Sequence, residues 1–163
     1  MIASAYVRSA SSEKRWILTG EILTEIDSML AGLLQAVDAS RVTLRQDLPG
    51  DYAFPVTYEA LAPGVPSLVD ERTVELRDQP VVRELMSGRQ VVQTDCRTAF
   101  DDAAFQRMLK TYGGLAAQVV TPIFVGDGLA AILSVHQLGA PRAWTDAEVA
   151  ACTNTADRVA GLL

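Results

Sequence analysis

The chain has 163 residues, of which 49% are hydrophobic and 21% are charged, and its formal net charge is -6. This length and composition predict one globular domain with its own hydrophobic core. The acidic balance argues against a general surface for nucleic acid or anionic membranes. No apolar run approaches the roughly 20 residues that are needed to span a bilayer. We therefore expect neither nucleic acid nor a membrane as a partner.

The thiol and imidazole content limits the possible chemistry. The chain contains two cysteines, Cys96 and Cys152, and one histidine, His136. Two thiols without a pairing motif make neither a disulfide framework nor a zinc site, and one imidazole excludes a His-rich metal cluster. The N-terminus lacks the long apolar segment of a secretory signal, so we expect a cytoplasmic protein. The scarcity of lysine beside many alanines suggests a bacterial coding sequence of high GC content.

The N-terminal third predicts an arm, a helix and two strands. Residues 1–15 are small and polar, as in a flexible arm ahead of a single domain at 16–163. From Trp16 to Val37 apolar residues recur every three or four positions, which predicts a helix with a wide apolar stripe. Residues 41–45 alternate like a half-buried strand. After a turn at 47–51, a returning strand is expected at 54–61, with three residues on one side: Val56, Tyr58 and Ala60.

The next stretch is irregular. Residues 62–78 are rich in proline, glycine and alternating charges, which predicts a loop. A short helix should follow, capped by Asp78, started by Pro80 and ended by Gly88. Residues 90–94 then predict a short strand.

A second short helix is expected before the central hairpin. Either Asp101 or Asp102 can cap it, and Gly113–Gly114 ends it. Two apolar strands then flank a Gly-Asp-Gly turn at 126–128, which is a strong hairpin signal. The last helix opens with Thr145-Asp-Ala-Glu, a capping box.

This order of elements predicts an α+β domain. Strands joined by hairpin turns favour an antiparallel sheet with helices on one face. Both terminal helices carry long apolar stripes, so we expect them on the same face of the sheet. The irregular middle of the chain would then cover the opposite face.

The order of elements and several stretches resemble the GAF domain, a small-molecule-binding sensory fold related to PAS domains. The stretches are Gly88–Val92, Ala117–Ile123 with the turn that follows, Leu129–Gln137, and Pro141–Thr145. The hairpin end and the approach to the last helix look similar to bilin-binding GAF domains of phytochromes and cyanobacteriochromes. The resemblance implies a pocket on one face of the sheet, covered by residues 62–115 (the roof segment). It also implies homodimer contacts through the terminal helices.

The resemblance, together with the aromatic and apolar content of the roof segment, suggests a set of ligand-contacting residues. The aromatic residues at helical spacing can equally pack the roof segment against the sheet without contacting a ligand. Arg97 and Arg107 can bind an anion or can be solvated charges. His136 can face the pocket or bond to backbone at the strand end. The predicted ligand-binding residues are Tyr58, Arg97, Phe100, Phe105, Met108, Leu109, Tyr112, Thr121, Ser134 and His136.

Known ligand classes of GAF domains can be compared with the residues present. Relatives that attach a bilin covalently usually carry a Cys-His pair in the roof helix, and residues 100–105 contain neither residue. Haem would depend on His136 as axial ligand. The Asn-Lys-Phe-Asp-Glu stretch common in cyclic-nucleotide GAF domains is missing. The cofactor, if there is one, is left unidentified.

Three functions follow from these observations. The first is a non-enzymatic sensory domain that binds a small molecule and signals through its terminal helices to a partner or output domain. The second is a dimerisation module with a collapsed pocket. The third is free methionine-R-sulfoxide reductase, which would need Cys96 and Cys152 to cooperate as attacking and resolving thiols.

Overall fold

The computed structural model describes residues 20–48, 54–77 and 79–163 of the chain. The predicted arm at 1–15 and the predicted helix start at Trp16 lie outside the described residues. In chain order the elements are α1 (Gly20–Val37), β1 (Arg41–Gln46), β2 (Val56–Leu61), α2 (Pro80–Met86), β3 (Val91–Gln93), a 3₁₀ turn (Cys96–Thr98), α3 (Ala103–Thr111), β4 (Leu115–Val125), β5 (Gly128–Leu138) and α4 (Asp146–Ala160).

The sheet is antiparallel throughout, and its strands lie in the order β2-β1-β5-β4-β3. The predicted α+β class is therefore confirmed. The central hairpin joins the two longest strands, β4 and β5, and its turn contains Gly126 with φ of 61°. Glycine suits this left-handed position because it has no Cβ to clash with the backbone.

Both terminal helices pack on one face of the sheet, here called the helix face. Alternate residues of β1, β4 and β5 meet them, since successive side chains of a strand point to opposite faces. This arrangement confirms the prediction that the two apolar stripes share a face. The core there includes Ile26, Leu30, Leu33 and Val37 of α1, Cys152, Ala156 and Val159 of α4, and Val42, Leu44, Val119, Leu133 and Val135 of the sheet.

The described part of the roof segment covers the opposite face, here called the roof face, as predicted. Helices α2 and α3 and the loop before α2 form a second apolar core with the sheet. Its buried members include Leu68, Leu76, Val81, Val82, Leu85, Phe105, Met108, Leu109, Tyr112, Val120 and Ile132.

Two expectations about β1 and β2 are corrected. Strand β1 is buried on both faces and not half-buried, because helices cover one side and the roof segment the other. The pairing of β1 with β2 shifts register between Leu44 and Arg45. Such a bulge rotates the chain, so Val56 lies in the roof-face core while Tyr58 and Ala60 lie in the helix-face core.

The helix caps agree with the sequence in two cases and differ in one. The Asp102 carboxylate accepts a hydrogen bond from the Phe105 amide at the start of α3, and Thr145 and Glu148 form the predicted capping box of α4. The N-cap of α2 is Gln79, whose side chain makes no capping bond. The predicted cap, Asp78, lies outside the described residues. None of the described helices combines the length and apolar character that crossing a membrane requires.

Candidate functional site

Polar side chains cluster on the roof face of the sheet, under the roof segment. Strand β5 pairs with β1 so that His136 stands opposite Arg41 and Ser134 opposite Thr43. On its other side, His136 stands opposite Gln118 of β4. Their neighbours along each strand fill the helix-face core, so the alternation of the pleat places this polar row on the roof face.

Arg41 is fully buried and holds three elements together. Its Nε donates to His136 Nδ1 at 3.1 Å, and its two terminal nitrogens donate to the carbonyls of Pro66 at 2.8 Å and Tyr112 at 2.7 Å. Burial lowers the pKa of the Arg41 guanidinium to about 10, against the opposing pull of Glu59. The side chain therefore ties strand β1 to the loop before α2 and to the end of α3.

His136 is held as a neutral imidazole in one tautomer. Burial lowers the pKa of His136 well below its usual value, and the nearby charges of Arg41 and Arg45 lower it further. Because Nδ1 accepts the Arg41 bond, the single proton of the neutral ring must lie on Nε2. The ring stacks near Tyr112, with centroids 6.0 Å apart.

Arg45 reaches along the roof face to the end of α3. One terminal nitrogen donates to the Phe54 carbonyl at 2.9 Å, and the other donates to the Tyr112 hydroxyl at 3.0 Å. Burial raises the pKa of Tyr112, and the neighbouring Arg45 offsets part of that effect. Phe54 has φ of 49°, a strained conformation for a non-glycine residue, and its carbonyl is one of the two acceptors that Arg45 uses.

The buried charges on this face do not balance. Within the described part of the chain, Arg41 and Arg45 bond only to neutral acceptors and form no ion pair. Glu59 is the buried acid on the described part of the sheet, and its carboxylate accepts from the Ser67 hydroxyl and the Leu68 amide. Two buried guanidiniums thus lie near one buried carboxylate, and the partly exposed Glu71 is a further acid that acts on Tyr112.

A small cavity separates this polar row from α2 and α3. The centre of a water molecule can move through about 30 Å³ of it, which is room for one or two waters. The sheet side carries polar side chains together with two aliphatic ones, and the part formed by α2 is aliphatic. Its lining comprises Arg45, Gln118, Ser134, His136, Val120 and Ile132 from the sheet, Tyr112, Met108, Val81, Val82 and Leu85 from the roof helices, and Leu76 and Gln79 from the loop before α2.

A larger groove lies outside the cavity, between the loop before α2 and helix α3. The centre of a water molecule can move through about 530 Å³ of this groove, and its lining includes Glu75, Asp102 and Arg107. Gln79 and Met108 line both the groove and the cavity, so they form the partition between the two. The Gln79 Oε1 atom is buried and has no hydrogen-bond partner.

The ten sequence-predicted site residues fall into three groups. Met108, Tyr112, Ser134 and His136 line the cavity. Phe100, Phe105 and Leu109 belong to the roof-face core beside it, where the Phe100 and Phe105 rings meet edge to face at 5.1 Å.

The remaining three lie elsewhere. Tyr58 is buried in the helix-face core because it pairs directly with Leu44, which points to that face. Thr121 shares that face, where its hydroxyl accepts from Gln90, which also contacts Thr153 of α4. Arg97 is exposed at the surface and pairs with Asp95. None of the three lines the cavity.

Sequence reasoning missed three of the polar residues that line the cavity, namely Arg45, Gln79 and Gln118. The alternating stretch Arg41-Val-Thr-Leu-Arg45 was interpreted as having a solvent-facing side, and its two arginines are buried instead. Gln118 was included only as part of an apolar strand. One sequence signal could have indicated the strand residues among these. Polar residues recur at alternate positions on three strands that are otherwise apolar.

The two thiols lie on opposite faces of the sheet. Cys96 belongs to the roof-face core and Cys152 to the helix-face core, and both are buried and free. Burial raises the pKa of Cys96 to about 12 and that of Cys152 to about 11. This separation leaves the pair unable to form a disulfide without rearrangement of the sheet. No group of three or more metal-ligating side chains occurs in the described ranges.

The sequence matches the GAF domain family over residues 21–163. The chain is a GAF domain. The predicted resemblance is thereby confirmed. No curated protein matches the sequence.

Solved structures of cyanobacterial GAF domains share this fold. One is the phycoerythrobilin-bound GAF domain of a cyanobacterial phytochrome, with 22% identity and a TM-score of 0.72 over 91% of this chain and 88% of that one. A second is the phycocyanobilin-bound GAF domain of a cyanobacterial phytochrome, with 20% identity, a TM-score of 0.70, and 93% and 94% coverage. The blue-light-absorbing form of the Thermosynechococcus elongatus PixJ GAF domain has 21% identity, a TM-score of 0.69, and 89% and 88% coverage.

Proposed function

We propose that this GAF domain is a non-enzymatic sensory domain that binds a small molecule in the cavity under the roof segment. The observation that carries the proposal is the convergence of buried polar side chains on that cavity. Arg45, Gln118, Ser134 and His136 are each at most 6% exposed, and all of them line the cavity. Buried polar groups around a cavity are typical of a ligand site, and burying them without a ligand would be costly.

Occupancy of the cavity is proposed to reach the terminal helices through the sheet. Strand β5 is the shared wall, since Ser134 and His136 face the cavity while Leu133 and Val135 contact the core beneath α1 and α4. A ligand that binds one arrangement of this wall better than another would shift the helix packing by population shift. The output would lie in a partner protein or another domain of a bacterial cytoplasmic regulator.

A hydrogen-bond chain offers a second connection from the cavity to α4. Gln118 lines the cavity and donates to the Gln93 side chain at 2.8 Å. The backbone carbonyl of Gln93 accepts a hydrogen bond from the Trp144 indole at 3.1 Å. The Arg142 guanidinium lies 4.5 Å from the centre of that indole. Trp144 directly precedes the capping box of α4, so a displaced Gln118 would disturb the start of the last helix.

Native mass spectrometry of the protein purified without refolding, beside a denaturing run of the same sample, tests ligand binding. We expect an extra mass that is lost on denaturation. Hydrogen exchange of the ligand-retaining and stripped preparations then tests signalling, with changed protection expected in α1 and at the start of α4. A bound molecule that alters only the roof segment would contradict the signalling part.

A second candidate is a homodimerisation module, and the outer surface of the terminal helices favours it. A groove of about 420 Å³ runs between α1 and α4 and is lined partly by small residues, including Ser28, Gly32, Ala36 and Ala151. Small residues allow a second helix to approach closely. Analytical ultracentrifugation of the parent and of Ala36→Glu, with Ala104→Glu on the exposed side of α3 as control, tests this role. A dimer lost only in Ala36→Glu is expected if the groove is the interface.

The reductase alternative has less support from the geometry. It needs an attacking thiolate and a nearby resolving thiol, whereas the sheet separates the two cysteines. Non-covalent bilin binding would require the roof segment to open, since the cavity as it stands has room for only about two waters. Incubation with biliverdin and measurement of its absorbance after gel filtration would detect such binding.

A further inference from the structure

The cavity wall carries a positive charge that forms no ion pair within the described residues. Arg45 lines the cavity, is 5% exposed, and donates only to the Phe54 carbonyl and the Tyr112 hydroxyl. A guanidinium has five N–H donors and keeps its proton at any physiological pH. A buried charge that meets only neutral acceptors is costly until an anion joins it.

The imidazole beside Arg45 also offers a donor to the cavity. The Nδ1 atom of His136 accepts a hydrogen bond from Arg41, so the proton of the neutral ring is on Nε2. No acceptor for this N–H is found among the described residues. His136 therefore presents a hydrogen-bond donor and no acceptor to a molecule in the cavity it lines.

Gln79 supplies an unpaired polar group from the roof segment. Its side-chain oxygen is buried without a partner, and the residue is 4% exposed. Rotation of the terminal amide by a half-turn exchanges its oxygen and nitrogen, so Gln79 can offer an N–H donor to the same molecule. The residue also separates the cavity from the outer groove, which makes it the place where a ligand would enter.

The cavity also has an aliphatic part, formed by α2 and two residues of the sheet. Val81, Val82 and Leu85 of α2 face Val120 and Ile132 of the sheet. A molecule that satisfies both parts needs an anionic end and a short apolar end. The cavity as it stands has room for one or two waters, so even a short acid fits only when the Gln79 and Met108 side chains move toward the outer groove, and a long chain is excluded.

We propose that the ligand is a short aliphatic monocarboxylate, whose carboxylate binds Arg45 and the His136 Nε2–H while its alkyl chain packs against Val81, Val82 and Val120. This inference rests on the proposed function, since it names the class of molecule for the same cavity. It differs from the bilin chemistry of the structural relatives in size, and it assigns the anchoring role to Arg45 of strand β1.

The test uses sodium propionate and its neutral isostere propionamide, titrated into the full chain by isothermal titration calorimetry. The amide matches the acid in shape and lacks only the charge, so binding of propionate alone is the expected result. Inorganic phosphate provides an anion without an alkyl chain. Propionamide binding as tightly as propionate, or phosphate binding more tightly than propionate, would overturn the assignment.

Variants locate the site. Arg45→Gln should weaken propionate binding roughly 10- to 100-fold, the range for a lost charged hydrogen bond. Arg89→Gln removes the same charge from an exposed ion pair on the surface and should leave binding unchanged. Equal loss in both variants, or in neither, contradicts the role of Arg45.

A measurement on the unmodified chain covers the case in which Arg45→Gln does not fold. His136 is the chain's single histidine, so its imidazole nitrogens give unambiguous ¹⁵N signals. Propionate should shift the Nε2 signal and leave the Nδ1 signal nearly unchanged, and an unmoved Nε2 signal at saturation would overturn the assignment. If native mass spectrometry finds a bound neutral molecule while propionate fails to bind, this inference is wrong and the sensory function stands.

Discussion

The Arg41 Nε atom donates a hydrogen bond to His136 Nδ1 across 95 residues of sequence, with both side chains buried between the sheet and the roof segment. The bond joins strands β1 and β5 at a point where their residues stand directly opposite. Because an arginine can only donate, the histidine must accept and stay neutral. The bond therefore determines both the tautomer and the charge of the one imidazole in the chain.

Stability should fall as the pH drops below about 6.5, the ordinary pKa of histidine. The folded-state pKa of His136 is lowered well below that value, mainly by burial. The unfolded chain therefore binds more protons than the folded chain in this range, and acid favours unfolding by up to about 1.4 kcal/mol per pH unit. Above pH 6.5 both states are neutral at this residue, and its contribution does not change.

Urea denaturation between pH 5.5 and 7.5 measures this effect, with His136→Asn as the control. The asparagine oxygen can accept from Arg41 but does not titrate, so the variant should lose the slope between pH 5.5 and 6.5. The acids with lowered pKa values, such as Glu148, titrate below this range. An equal slope in parent and variant would show that another group is responsible.

Arg142 links the two terminal helices, and its removal should destabilise the domain. Its guanidinium donates to the carbonyls of Val37 and Asp38 at the end of α1, and to the Glu148 carboxylate of α4 at 2.7 Å. The Arg142 side chain is only 19% exposed. Arg142→Met should therefore cost roughly 2 kcal/mol and lower Tm by roughly 4–8 °C.

Arg89→Met is the matched control for that experiment. Arg89 pairs with Glu84 at 2.7 Å, but the two side chains are 64% and 41% exposed. Solvent screens such a pair, so we expect no change in Tm. Equal losses in the two variants would contradict a special role for Arg142.

The two adjacent acids before α3 should differ in their contribution to stability. Asp102 accepts from the Phe105 amide at 2.8 Å and caps the helix, whereas Asp101 is exposed in front of it. Asp102→Ala should cost about 1 kcal/mol, the usual value of an N-cap, and lower Tm by roughly 2–4 °C. Asp101→Ala removes the same charge and should leave Tm nearly unchanged. Thermal unfolding of both variants decides whether the cap or the charge matters.

Both thiols should resist modification in the folded protein. Burial raises the pKa of Cys96 to about 12 and that of Cys152 to about 11, so at pH 8 almost no thiolate is present. Absorbance after addition of a chromogenic disulfide reagent should stay flat in buffer and report two thiols in guanidinium chloride. Rapid modification of native Cys96 would contradict this prediction and revive the reductase alternative.

Much of the fold could be predicted from local patterns, because local chemistry determines them. The Asp102 cap, the Thr145–Glu148 capping box and the Gly126 turn each depend on residues within four positions of one another. The apolar stripes of α1 and α4 likewise showed which sides must be buried. From these elements the shared helix face and the covered opposite face followed.

The candidate site was predicted only in part. Sequence periodicity shows which residues of a strand share a face, but it does not show what covers that face. Ser134 and His136 were assigned to the pocket by their parity on β5, and both line the cavity. Tyr58 was assigned to the same set, but it pairs with Leu44 and points to the helix face, and the bulge between Leu44 and Arg45 turns Val56 to the roof face instead. A one-residue shift reverses a strand's faces, and nothing in the local sequence marks it.

The sequence by itself determined the elements, their caps and turns, and the GAF family of the chain. The tertiary structure alone decided that Arg41 and Arg45 are buried and that Arg45 lines the cavity. Their acceptors are backbone carbonyls, the His136 imidazole and a hydroxyl, which lie up to 95 residues away. Such partners become neighbours only when the roof segment closes over the sheet, so a local pattern of alternating polar residues could not distinguish a solvated face from a binding site.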